Sequence, residues 1–162
     1  MTTAWMEFKA ELISQYQEQK AMADAALQKV DDSVFFMQLQ ENGDQHTNSI
    51  AILVKHLSGN FISRWTDFLT TDGEKPERQR PREFLHEESD SRAIIMRRWE
   101  ESWGILFSTL ETLREEDFAK TIYIRGEAHT VVRAIFRNLL HATHHIGQID
   151  MLVSILRKAP AA

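Results

Sequence analysis

Along four long stretches of this chain apolar residues recur every three or four positions, the period of an amphipathic helix. The cleanest stretch carries Ile95, Trp99, Trp103, Leu106, Leu110 and Leu113 at intervals of 4, 4, 3, 4 and 3, behind capping candidates Ser89 and Ser91. Another repeats Ile50, Leu53, Leu57, Phe61, Trp65 and Phe68 at intervals of 3, 4, 4, 4 and 3. Thr47, Asn48 and Ser49 precede it with N-cap oxygens. Gly59 interrupts it at a cost of about 1 kcal/mol relative to Ala, and its small size is expected to allow close helix packing. The first stretch, residues 3–30, places Trp5, Phe8, Leu12, Tyr16, Ala23, Leu27 and Val30 on one face until Asp31-Asp32-Ser33 breaks the pattern. The last, residues 131–157, aligns Val131, Ala134 or Ile135, Leu139, Ala142, Ile146, Ile149, Val153 and Leu156 behind a capping Thr130. Four such helices with nothing else of comparable size predict an all-α fold, a four-helix bundle. Trp65, Trp99 and Trp103 are expected in its core.

The connections add two features. Asn42-Gly43-Asp44 is a turn cluster, whereas residues 70–88, with Pro76 and Pro81, read as a long polar loop. A second helix of about 22 residues would be roughly 33 Å long. The 70–88 loop is long enough to return along it, so helices two and three can lie parallel with a crossover between them. Ile122-Tyr123-Ile124 before Gly126-Glu127 predicts a short β-hairpin ahead of the last helix. At 162 residues the chain suits one domain, 1–158, with 159–162 as a frayed tail.

Charge narrows the partners. Nineteen Lys+Arg against 24 Asp+Glu give a net charge of −5, which argues against nucleic-acid binding. Local basic residues at Arg78, Arg80 and Arg82 have acidic neighbours in Glu77 and Glu83. No apolar run approaches the ~18 residues of a bilayer span, and the N-terminus lacks the apolar segment of a signal peptide. No membrane partner is expected, and the expected compartment is the cytoplasm.

Seven histidines accompany no cysteine, so any transition metal here must be held by His, Asp or Glu. Asn138, His141, His145 and Gln148 follow one another at intervals of 3, 4 and 3, a polar stripe beside the apolar one. His141 and His145, one turn apart, project from the same face and can share an ion at ~2.0–2.1 Å. His56, next to the core residue Leu57, is the third candidate ligand. Asn60, Asn138 and Gln148 can orient ligands or substrate, or simply bond helix to helix. Ala142 follows His141 where a zincin protease needs Glu, so that motif is excluded. His144 reads as solvated or as a residue supporting the metal ligands, and His46, His86 and His129 as surface or capping residues. No carboxylate can be named as a general base.

His141-Ala-Thr-His-His145-Ile-Gly-Gln148 resembles the C-terminal helix signature of the DinB-like (YfiT-like) superfamily. Lys55-His56-Leu-Ser-Gly-Asn60, the stretch from Ser63 to Lys75, and Tyr123-Ile-Arg-Gly-Glu-Ala-His-Thr130 resemble an uncharacterised branch of it. The resemblance implies an up-down-down-up bundle and a divalent metal, zinc or nickel, on His56, His141 and His145. It further implies a homodimer and, from relatives, S-transferases that use low-molecular-weight thiols. Ile146 departs from the basic residue that many relatives carry there. Two functions follow as expectations. One is a metal-dependent enzyme on a small-molecule substrate, a small-thiol S-transferase or a hydrolase. The other is a non-catalytic stress-response or interaction dimer whose metal site is structural or vestigial.

Overall fold

The computed structural model describes residues 2–39 and 46–157. The Asn42-Gly43-Asp44 turn cluster and the 159–162 tail lie outside the described residues. Four long helices form: α1 (Thr3–Leu27), α3 (Ile50–Trp65), α4 (Arg92–Thr112) and α5 (Val131–Leu156). A five-residue helix, α2 (Asp32–Phe36), follows α1, and a hairpin of β1 (Thr121–Ile124) and β2 (Glu127–Thr130) precedes α5. Among the described residues no helix is long and apolar enough to cross a membrane.

Capping oxygens start the helices. Thr2, Ser49, Ser91 and Thr130 accept from the backbone N–H of Trp5, Ile52, Ile94 and Arg133. Each cap satisfies one otherwise orphaned donor and is worth about 0.5–2 kcal/mol. Arg92, at the start of α4, donates to the carbonyls of Leu27 and Val30 at 2.7 and 2.6 Å, where α1 has ended. Thus α1 stops three residues short of Val30, and Asp31 starts α2 by accepting from Val34 N–H at 3.0 Å.

Contacts fix the helix directions. Lys9 reaches the carbonyl of Leu113, and Lys20 reaches Glu100, so α1 and α4 run antiparallel. Lys55 pairs with Asp90, Phe61 with Trp103, and Trp65 with Thr109, so α3 and α4 run parallel. His56 meets His141 while Asn60 meets Asn138, so α5 runs antiparallel to α3. The course is up-down-down-up, with the long crossover between α3 and α4.

The centre of the bundle is aromatic. Phe61, Trp65, Trp99, Trp103 and Tyr16 are all buried. Their rings meet mostly edge to face, with Phe61 and Trp103 centroids 4.8 Å apart and Trp99 and Trp103 5.4 Å apart. Burying a large apolar side chain stabilises by roughly 1.5–3 kcal/mol, and aromatic pairing adds about 0.5–1.5 kcal/mol.

Three expectations change. Phe8 is 37% exposed and packs edge-on against Phe118 at 5.6 Å instead of entering the core. Helix α3 has 16 residues, so it is ~24 Å long, and it stops before Phe68. Asp67 adopts φ 49°, and its carbonyl accepts from the N–H groups of Thr70 and Thr71, a local turn that outcompetes further helix. Phe68 nevertheless stays buried, stacked on Trp65. The 70–88 segment is also not plain loop, because Arg80–Phe84 forms a 3-10 turn.

The hairpin turns through Arg125 and Gly126, both at positive φ (57° and 75°). Asp72 of the crossover accepts from both their N–H groups, at 2.8 and 2.7 Å. Gly73 N–H donates to the Tyr123 carbonyl at 2.8 Å. The start of the crossover is thereby latched to the hairpin, beside the N-terminal end of α5.

Candidate metal centre

His56 lies on α3 between core residues Leu53 and Leu57, and its ring is buried. His141 and His145 lie one turn apart on the flank of α5. Because α3 and α5 are antiparallel, the three imidazoles meet, with ring centroids 4.6–5.2 Å apart. One nitrogen from each lies within 4.8 Å of the others. Nε2 of His56 and Nε2 of His141 are 3.2 Å apart. Two nitrogens bound at ~2.0–2.1 Å to one tetrahedral ion would be roughly 3.3–3.4 Å apart, so this pair fits a shared ion.

For His56 and His145 the other ring nitrogen has a partner that sets the tautomer. Nδ1 of His56 is 2.9 Å from Oε2 of Glu83, and Nδ1 of His145 is 2.7 Å from Oε1 of Gln148. A carboxylate or amide oxygen accepts the Nδ1 proton, which leaves Nε2 with its lone pair. Nδ1 of His141 is buried with no hydrogen-bond partner among the described residues. Burial, with nearby His145 and His56 and then Arg78 and Arg64, pushes the His141 pKa down to about 3. Burial likewise lowers His145, though its bond to Gln148 pulls the other way. Neutral imidazoles near pH 7 are the form that binds a metal ion.

Glu83 is the residue that sequence reasoning missed. It comes from the 3-10 turn of the crossover and is 8% exposed. Arg78 grips it in a two-pronged pair, Nε to Oε1 and Nη2 to Oε2, both at 2.8 Å. Burial alone would raise the Glu83 carboxyl. Hydrogen bonds from His56 and Arg78, with the Arg78 charge, outweigh burial and hold it below the ordinary carboxylate value. Gly59 makes the space, since a Cβ there would stand 2.7 Å from Cδ of Glu83. The small residue therefore admits a carboxylate from the crossover, not a closer helix as expected.

Asn60 and Asn138 join helices. Asn138 Nδ2 donates to Asn60 Oδ1 at 2.9 Å, and Asn138 Oδ1 accepts from Trp65 Nε1 at 3.0 Å, with the Tyr16 hydroxyl 3.2 Å away. Of the three residues flagged to orient ligands, Gln148 alone touches one of the histidines. His144 is exposed and His86 meets Ser49. His129, expected at the surface, is 5% exposed in β2, because strand register places it opposite Ile122 on the hairpin's inner face.

A cavity of about 200 Å³ opens beside His56 and His141. Asn60, Asn138, Ile124, Ala134 and five arginines complete its wall.

The family model for a protein of unknown function (DUF1572) matches residues 3–160. No curated protein matches the chain. A solved structure, described as YfiT from Bacillus subtilis, a probable metal-dependent hydrolase with an unusual four-helix bundle topology, is similar at a TM-score of 0.71 and 18% identity. The match covers 98% of this chain and 91% of that one. The four-helix bundle expected from the resemblance is the fold found.

Proposed function

The chain belongs to the DUF1572 family, and we propose that it binds a divalent ion, zinc or nickel, through His56, His141 and His145 and performs metal-dependent chemistry on a small molecule. The convergence of three imidazole nitrogens within 4.8 Å, beside a cavity, carries this reading. The name of the solved YfiT structure, a probable metal-dependent hydrolase, is consistent with it. Such an ion supplies Lewis acidity, polarising an oxygen or sulfur and lowering the pKa of a proton on it. Glu83, held by Arg78, orients His56, and Gln148 orients His145.

Among the described residues, the cavity wall contains no carboxylate, hydroxyl or thiol side chain. A nucleophile must therefore enter from solution, as water in a hydrolase or as a low-molecular-weight thiol in an S-transferase. The two are separated by supplying a model electrophile with and without added thiol.

Elemental analysis of untagged protein tests the ion directly. About one metal per chain is expected, falling to background in His56→Ala and His141→Ala. Equal content in wild type and both variants sinks the three-histidine proposal.

One observation favours the second reading, an interaction dimer. Phe136, Leu140, Met151 and Ile155 are exposed along α5, on the side away from its buried face. The occupant proposed for this stripe is a second copy of the chain in the cytoplasm, with sedimentation of wild type against Leu140→Glu as the test. A wild-type monomer removes it.

A further inference from the structure

The five arginines of the cavity wall are Arg64, Arg78, Arg80, Arg125 and Arg137. Among the described residues, the carboxylates paired with their guanidinium groups are Glu74 and Glu83, while Asp72 accepts from the Arg125 backbone N–H at 2.8 Å. Arg78 takes both oxygens of Glu83. Glu74 is shared by Arg64, Arg78 and Arg125, each at 3.3 Å or less. Arg80 lies over the Phe84 ring, 5.3 Å from its centroid, with no carboxylate partner among the described residues. The contact of Arg137 is Nε2 of His129 at 3.4 Å. Five guanidinium groups thus gather around one small cavity with three carboxylates, Asp72, Glu74 and Glu83, in contact with their residues, in a chain whose net charge is −5.

Arg64 and Arg78 are half-buried and Arg80, Arg125 and Arg137 exposed; like charges gathered there repel, and an anion between them relieves the repulsion. Guanidinium is the side chain best matched to a carboxylate or phosphate, because its planar fork donates two parallel hydrogen bonds. The cavity is smaller than the ~300–1,000 Å³ typical for drug-sized ligands, so it suits a small molecule or the charged end of a larger one.

We propose that this cavity binds a substrate bearing an oxyanion group, carboxylate or phosphate, held by Arg80 and Arg137 beside the Glu74-paired Arg125, with its reacting end toward His56 and His141. The proposal rests on the metal-dependent reading above for what happens at that end, but the anion contact itself does not require the ion. Arg64 and Arg78, occupied with Glu74, Glu83 and the Gly73 carbonyl, shape the wall and add to its field.

Calorimetric titration of the purified protein with succinate, phenyl phosphate and neutral benzamide tests the inference. Metal content is measured on the same sample. One or both anions should bind and benzamide should not, and the tighter anion tells carboxylate from phosphate. Arg137→Gln and Arg80→Gln should each weaken binding about tenfold, with unchanged melting and metal content. Arg137→Lys should restore part of the loss. Absence of binding by both anions overturns the proposal, as does equal binding in wild type and the Arg80/Arg137 double variant. Anion binding in a protein that holds no metal leaves this proposal standing and removes the metal reading instead.

Discussion

Two clusters sit side by side on α3 and are held together by different means. Around Phe61 and Trp65, rings from α1, α3 and α4 fill the centre of the bundle, and the helix period alone brings them there. Around His56, one polar face depends on α5 and on Arg78 and Glu83, which arrive from an irregular crossover. The first cluster is insured by many small contacts. The second rests on a few charged groups whose loss leaves others unpaired. The contrast teaches that bundle stability and site integrity are separately adjustable here.

The largest effect that could break this separation is expected from the aromatic side. Trp103→Ala should cost about 3–5 kcal/mol, read by urea unfolding, while the folded fraction keeps its metal affinity. A parallel collapse of metal binding in still-folded protein would show that the clusters are one. Next comes Glu83→Gln, which leaves Arg78 with its shared contact to Glu74 as its counter-charge and His56 without a carboxylate. Metal affinity should fall 10–100-fold by competition with a chelator, with about 1–3 kcal/mol of stability lost. Gly59→Ala sharpens the contrast further. Its added methyl displaces Glu83 but gains about 1 kcal/mol of helix propensity. Stability should therefore change little, while metal affinity drops in the same direction as for Glu83→Gln.

The smallest effect concerns acid. Burial opposes ionisation of Asp72, but N–H donors of Glu74, Gly126 and Arg125 outweigh it and hold its carboxyl below the ordinary value. A carboxyl depressed in the folded state stabilises fully above its unfolded pKa, ~3.9, and loses this as pH falls through the folded value. The protection of the Arg125 and Gly126 amides, relative to their intrinsic exchange rates, should therefore fall below about pH 4, and Asp72→Asn should abolish that dependence. Metal affinity at the His56 cluster should stay indifferent to the Asp72 change at neutral pH.

Much of this was legible because periodic segments reveal their buried face. Ile95, Trp99, Trp103, Leu106, Leu110 and Leu113 are all buried as their spacing predicts. His141 and His145 were legible for the same reason, and His56 through its place beside Leu57. Glu83 was hidden because it belongs to Arg80-Pro-Arg-Glu-Phe84, a charged stretch without period, which reads as solvated surface. Its one local signal was Gly59, a helix-weakening residue whose missing side chain makes the room. Arg80, Arg125 and Arg137 were equally hidden, since they come from three separate elements, the crossover, the hairpin turn and α5, that only the fold brings to one cavity.

The antiparallel meeting of α3 and α5 also has a consequence in time. His56 and His141 are 85 residues apart in sequence, and the chain is made from its N-terminus. A nascent chain that has reached the end of α4 can already pair α1, α3 and α4, but it owns one of the three clustered imidazoles. The cluster closes only when the last helix is synthesised and docks. Any ligand that requires all three rings therefore selects finished chains over partial ones.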